Sequence, residues 1–338
     1  MVALDGELDK FAVLLRYLER YRLAGKPHLT RLLAPFRDPE NPPSRRLRQF
    51  KLVTAGVGLR SNPLIGLLLN LLFPWDFLFA LLAARLRASA SKILPVWLES
   101  LTQLEALASL ANFSALHPDY AFPQVDLRAQ PVFQASGLAH PLIPSGHSIP
   151  NDFSISDLGE LALITGSNMA GKSTFLKTVG INLCLAYAGG PVAGRSLRCR
   201  PFRLHTCIRI SDSIADGFSY FYAEVRCLRS LLDEINPVEE RPLLYLIDEI
   251  FRGTNNRERL IGSRAYVRAL LGAPGAGLIA THDLELAHLA EQDGRVHNYH
   301  FRDEVAAGRL VFDYQIRPGA CPTTNALKIM ELEGLPAE

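Results

Sequence analysis

Residues 166–173 read Gly-Ser-Asn-Met-Ala-Gly-Lys-Ser, and their surroundings decide the fold. The apolar run Leu161-Ala162-Leu163-Ile164-Thr165 enters this stretch and reads as a buried strand. Ser173-Thr174-Phe175-Leu176-Lys177-Thr178-Val179 leaves it as a helix. Gly166 and Gly171 let the backbone curl, so that its N–H groups and the positive end of that helix face an anion. Lys172 suits the β- and γ-phosphates of a nucleotide, and the Ser173 hydroxyl suits a Mg²⁺ shell. The stretch therefore predicts a phosphate-binding loop over Gly166, Ser167, Asn168, Met169, Ala170, Gly171, Lys172, Ser173 and Thr174. A glycine-rich turn that binds nothing is the alternative, and the strand before it and helix after it weigh against that. The expectation is a nucleoside triphosphatase.

Working outward, further buried strands are predicted at Leu243–Ile247 and Gly277–Thr281, with helices at 172–188, 220–235 and 257–271. Val296–Phe301 and Leu310–Ile316 flank Gly308 and read as a hairpin. Strands alternating with helices predict an α/β fold, a mainly parallel sheet flanked by helices. The first part of the chain differs. Leu8, Phe11, Leu15 and Leu18 fall on one helical face, and Leu98, Leu101, Leu104, Ala108 and Ala111 mark another; both stripes read as core. Pro35, Pro39, Pro42 and Pro43 predict a loop over 35–45. The expected organisation is an all-helical region over 1–120, a linker and lead-in over 121–150, and the P-loop NTPase domain over 151–338.

A chain of 338 residues with 48% apolar and 21% charged residues has the composition of a globular protein, not a disordered one. Its net charge of +2 does not by itself announce a nucleic-acid binder. Basic residues crowd the first fifty positions, among them Arg45, Arg46 and Arg48, and read as a solvated face, with phosphates or a lipid surface as the alternatives. Cys184, Cys199, Cys207, Cys227 and Cys321 show no CxxC pair and no metal-ligand spacing. Separate thiols and a cytoplasmic location are expected from them. The apolar stretch Leu64–Leu86 is long enough to cross a bilayer, although Asn70, Pro74 and Asp76 interrupt it. It reads either as a membrane segment or as two buried helices broken at Pro74.

Two more strand ends carry chemistry. Leu243-Leu244-Tyr245-Leu246-Ile247 delivers Asp248 to a site where a carboxylate can hold Mg²⁺, and Glu249 follows, placed to orient and deprotonate a water. Thr281-His282 leaves a third strand, where His282 can sense the γ-phosphate or position water. Taken alone, such a histidine is more often structural.

Together these strings are specific. Gly166–Thr174, Asp248-Glu249-Ile-Phe-Arg252-Gly253-Thr254 and Ala280-Thr281-His282 resemble the ATPase domain of the MutS DNA mismatch-repair family. Ser219-Tyr-Phe221-Tyr-Ala-Glu224 is similar to that family's Ser-Thr-x-Phe-x-x-Glu signature, and His140-Pro141 and Ile149-Pro150-Asn151-Asp152 resemble its lead-in. The resemblance covers about residues 138–335, with Leu104–Ala111 and Tyr120–Pro123 similar to the helix entering it. It implies an ABC-type ATPase fold and ATP with Mg²⁺ as cofactors. Ser173 and Asp248 would lie on the metal, and Glu249 and His282 would be catalytic. Ser219 would act in trans, on the nucleotide of the opposite subunit of a homodimer.

Two departures stand out. The aromatic that precedes Ile-Pro-Asn-Asp in the family and stacks on the adenine is Ser148 here; either His147 substitutes for it or base recognition is looser. No mismatch-reading unit is recognisable before residue 100, so a shortened relative or a fragment is expected. The implied function is an ATP-driven switch on mismatched, branched or otherwise distorted DNA. A membrane-associated ATPase anchored by 64–86 is the alternative.

Overall fold

The computed structural model describes residues 2–21, 25–59, 62–144, 146–167, 169–208, 220–235, 241–306 and 309–322. The chain divides into two units, 1–111 and 112–338. The first is helical: α1 (Val2–Arg20), α2 (Pro27–Leu33), α3 (Pro43–Gly58), α4 (Pro63–Leu72) and the start of α5 (Trp75–Leu116). Pro27, Pro43 and Pro63 open three of these helices, where a missing N–H costs no hydrogen bond. The prolines of 35–45 leave a 3-10 turn at Ala34–Phe36 and then the start of α3.

Of the α1 stripe, Leu15 and Leu18 are buried with Leu33, Phe36 and Trp97, and Phe11 packs against them. The Leu8 side chain lies outside the described residues. The second stripe is less buried than expected: Leu101 and Leu104 pack on this core, while Leu98, Ala108 and Ala111 are exposed. The 64–86 stretch breaks before Pro74, where the Asn70 side chain accepts from the Asp76 N–H at 3.0 Å. Its two helices are not buried, however. Leu64, Leu67, Leu71, Leu72 and Phe77 are all more than two-thirds exposed, because no other described helix of this unit covers their face. No single described helix is long and apolar enough to cross a membrane; α3 and α4 meet that measure only together, bent by 106°.

The second unit contains β1 (Gln124–Val125), β2 (Phe133–Leu138), β3 (Asn151–Ile155), β4 (Leu161–Thr165), α6 (Lys172–Tyr187), β5 (Ser196–Cys199) and β6 (Arg203–Cys207). It continues with α7 (Tyr220–Ile235), β7 (Leu243–Asp248), α8 (Asn256–Leu270), β8 (Gly275–Ala280), α9 (Leu289–Gln292), β9 (Val296–Ala306) and β10 (Arg309–Pro318). A six-stranded sheet runs β10-β9-β4-β8-β7-β6. All its neighbours pair in parallel except β9 with β10. This is the expected mainly parallel sheet, and β9–β10 is the expected antiparallel pair, with Gly308 outside the described residues.

β4, β7 and β8 are buried at every position, as strands covered on both faces must be. Period-two alternation divides their side chains. Ala162, Ile164, Leu244, Leu246 and Leu278 meet Phe175, Leu176, Val179 and Leu183 of α6. Leu161, Leu163, Leu243, Tyr245, Ile247 and Ile279 meet Leu228 and Leu231 of α7 and Val267 and Leu270 of α8.

The 121–150 stretch, expected as a linker, is part of this unit. It supplies β1 and β2 to a second sheet, β1-β5-β2-β3, and buries Val132, Phe133, Ala135 and Leu138 in the core. Its Pro and Gly content had masked that apolar alternation. Cys207 and Cys227, expected as separate thiols, are joined by a disulfide, because β6 and α7 lie side by side.

Candidate functional site

Three strand ends are tied together at one edge of the six-stranded sheet. Thr281 N–H donates to Ile164 O at 2.9 Å, and Glu249 N–H donates to Ala280 O at 2.9 Å. The turns after β4, β7 and β8 are thereby brought to one place, at the carboxyl ends of parallel strands where open α/β sheets bind ligands.

The turn after β4 has the shape that its glycines predict. Gly166 (φ 141°) and Gly171 (φ 111°) occupy conformations that side chains disfavour, and a Cβ on Gly166 would lie 2.7 Å from Phe301 O. Gly171 caps α6 without a side-chain bond, so the first N–H groups of this 16-residue helix remain available to an anion. Lys172 is buried; its Nζ donates to Gly166 O at 2.6 Å and Ser167 O at 2.8 Å. Burial lowers its pKa, and the nearby Glu249 and Asp248 carboxylates pull it back up. Ser167 Oγ is buried without a hydrogen-bond partner. An orphaned hydroxyl beside free helix N–H groups and an ammonium fits a phosphate group. Asn168 lies outside the described residues.

Asp248 ends β7 and is buried, in register with Ala280 across β8. Glu249 follows at φ 67°, a strained conformation for a non-glycine residue. His282 Nδ1 lies 3.0 Å from Glu249 Oε1, and Arg252 Nε donates to Oε2 at 2.5 Å. Burial pushes the Glu249 carboxyl up, but these two partners outweigh it and hold the pKa at about 2. His282 thus meets the site through Glu249.

The turn after Glu249 is locked to α7. Glu224 is almost fully buried, and its Oε1 accepts from Arg252 N–H at 3.1 Å. Burial raises its pKa, opposed by the amides of Arg252, Phe251 and Gly253. Gly253 is required by close approach, since a Cβ there would lie 2.7 Å from Phe221 Cβ. The Asp-Glu-x-x-Arg-Gly-Thr string and the Phe221-x-x-Glu224 pattern therefore interlock. Ser219 lies outside the described residues.

A cleft of ≈ 560 Å³ collects much of this edge: Ser167, Met169, Gly171, Lys172, Ser173, Thr174, Glu249 and Arg252 line it, together with His147 and Ser148. It also reveals a residue that the sequence reading missed. Tyr314 lines the cleft from a bulge in β10, at φ 54° and 43% exposed. Asn151 holds that bulge, donating to Tyr314 O at 3.0 Å and accepting from Ile316 N–H at 2.7 Å. An aromatic inside a strand carries no signal that a bulge will turn it toward a pocket.

The class defined by this fold is a mixed α/β domain whose mainly parallel sheet carries a glycine loop, a lysine and two carboxylates at one edge. A family model, MutS domain V, matches residues 162–338. DNA mismatch repair protein MutS of Natronomonas pharaonis is 32% identical over 253 residues, covering 74% of this chain and 29% of the relative. Its counterpart from Chloroflexus aurantiacus is 32% identical over 262 residues (75% and 26%), and that from Thermus thermophilus 33% over 240 residues (70% and 28%). The chain belongs to the MutS family. It spans 26–29% of the length of these relatives.

Proposed function

We propose that this protein is an ATP-hydrolysing, DNA-binding switch of the MutS family, working as a dimer whose subunits complete each other's nucleotide sites. The observation that carries this reading is the joining of three turns at one sheet edge, with Lys172 and Glu249 lining a single cleft. The relatives bear the name of DNA mismatch repair proteins, and mismatched, branched or otherwise distorted DNA is the proposed target. A cytoplasmic location goes with that role.

In this reading the loop N–H groups and Lys172 hold the phosphates of ATP, and Ser173 and Asp248 hold Mg²⁺. Bound Mg·ATP supplies the electrophilic phosphorus and the metal charge that polarises it. Glu249 orients the attacking water. With a pKa of about 2 it is ionised at neutral pH and binds a proton weakly, so its main contribution is placement. Both its oxygens are engaged, one by His282 and one by Arg252. Each oxygen keeps a second lone pair for the water, and the bonds from His282 and Arg252 fix the direction in which the carboxylate presents it. Ser219 enters from the partner subunit. Tyr314, beside His147 and Ser148, offers a ring for the base.

The test pairs turnover with DNA binding. Lys172→Ala is expected to lose nucleotide binding, and Glu249→Gln to keep it while turnover falls about 10²–10⁴-fold. ATP is expected to change the affinity for mismatched or branched duplex relative to homoduplex at fixed salt. Wild-type turnover in both variants, or DNA affinities that ATP leaves unchanged, overturns the reading.

A further inference from the structure

β6 and α7 assemble three side chains that the nucleotide cleft does not use. His205 and Cys207 share one face of β6, two residues apart, and Cys227 comes from α7. Their potential ligand atoms all lie within 4.8 Å of one another. His205 Nε2 is 3.7 Å from Cys207 Sγ and 3.9 Å from Cys227 Sγ. The other ring nitrogen, Nδ1, lies 3.2 Å from Glu234 Oε2. A carboxylate only accepts, so Nδ1 carries the proton, and in that tautomer the Nε2 lone pair faces the sulfurs. Metal-bound imidazoles are oriented in this way, with a carboxylate behind the ring. Cys207 is buried, while His205 and Cys227 are half-buried and give solvent a way in.

We propose that His205, Cys207 and Cys227, with the sulfurs reduced, form a binding site for a thiophilic divalent cation of the zinc type. A phosphine cleaves the Sγ–Sγ bond and goes to its oxide with oxygen from water, whose two protons end on the thiols. The cation then displaces those protons. Metal–sulfur bonds of about 2.3 Å and metal–nitrogen bonds of about 2.0–2.1 Å, at tetrahedral angles, set Nε2 about 3.6 Å from each sulfur. The observed separations already approach that geometry. The sulfurs must part to about 3.8 Å, a side-chain adjustment between Cα atoms 6.3 Å apart. Three protein ligands leave the fourth position to water. The bound cation pins together the two elements between which residues 208–219 run in the sequence.

The experiment uses the full chain, reduced with a phosphine, freed of excess reductant and titrated anaerobically with Co²⁺. One equivalent is expected to give thiolate-to-cobalt charge-transfer absorption and the strong visible bands of a tetrahedral ion, both bleached by Zn²⁺. Unreduced protein should show neither. Cys227→Ser should abolish the charge-transfer band, whereas Cys184→Ser should leave it unchanged. Glu234→Gln, which keeps both sulfurs, should weaken binding about 10–100-fold; this variant decides the matter if Cys227→Ser does not fold. A reduced chain without the band, a band that survives Cys227→Ser in a folded protein, or Glu234→Gln binding as wild type overturns the proposal.

Discussion

In the α/β unit the strands Leu161–Thr165, Leu243–Asp248 and Gly275–Ala280 are buried at every position, whereas in the helical unit the leucines of α4 other than Leu69 face outward, Leu71 at 81% exposure. Both stretches are apolar, and composition alone does not separate them. The difference lies in partners. Each face of the sheet has helices of matching period against it, so burial follows from the pattern. Helix α4 has a leucine-rich surface that no described element of its unit covers. An apolar run states a demand for cover; it does not say that the same chain meets it.

The largest expected effect exploits that contrast. Leu163→Ala removes a fully buried side chain of β4, on the sheet face that packs against α7 and α8, and should cost about 2–5 kcal/mol of unfolding free energy. Leu71→Ser, on the uncovered face, should change stability by about 0.5 kcal/mol or less. Urea unfolding of the two variants checks both values. Equal losses would mean that the face of α4 is covered in solution and that the contrast is false.

Next comes the acid behaviour of the site. The folded Glu249 pKa of about 2 lies below its usual value of 4.5. A depressed carboxylate pKa contributes stability that is fully present above the unfolded value and is lost as pH falls through the folded one. The shift corresponds to about 3 kcal/mol. The stability gap between wild type and Glu249→Gln should therefore stay constant from neutral pH to about 5 and close between 4.5 and 2. A gap that instead narrows above pH 5 would break the assignment of these hydrogen bonds to the ionised Glu249.

Much of this edge was legible because short-range rules suffice there. Gly166, Gly171 and Lys172 sit between an all-apolar strand and a helix, and Asp248 ends another such strand, so neighbours in the sequence fix the geometry. What escaped depends on distant pairings. Cys207 and Cys227 are 20 residues apart and meet only because α7 packs beside β6. The strands within 121–150 were hidden by their prolines and glycines, and the exposure of α4 could be read from no pattern at all.

A smaller effect tests the interlock of α7 with the turn after Glu249. Gly253→Ala forces a methyl group to within 2.7 Å of Phe221 Cβ. Overpacking of this kind costs about 1–3 kcal/mol. Since Phe221 stands two residues after Ser219 and Glu224 holds the same turn, turnover should fall further than stability. A variant that loses stability but keeps its turnover would reduce the Arg-Gly-Thr string to a packing device.

The smallest expected effect falls where the reading missed a residue. Tyr314 reaches the cleft because Asn151 holds a bulge, and its exposed ring lines the same cleft as His147 and Ser148. A stacked ring contributes about 0.5–1.5 kcal/mol beyond its buried area. Tyr314→Ala should therefore weaken ATP binding several-fold while leaving inorganic triphosphate, which has no base, unaffected. Tyr314→Phe should bind as wild type, since the face of the ring does the work and the hydroxyl makes no hydrogen bond among the described residues. If Tyr314→Ala lowers affinity for ATP and triphosphate alike, the ring is shaping the loop through Gly171, whose Cβ position lies 3.2 Å from Tyr314 Cδ1, and is not holding the base.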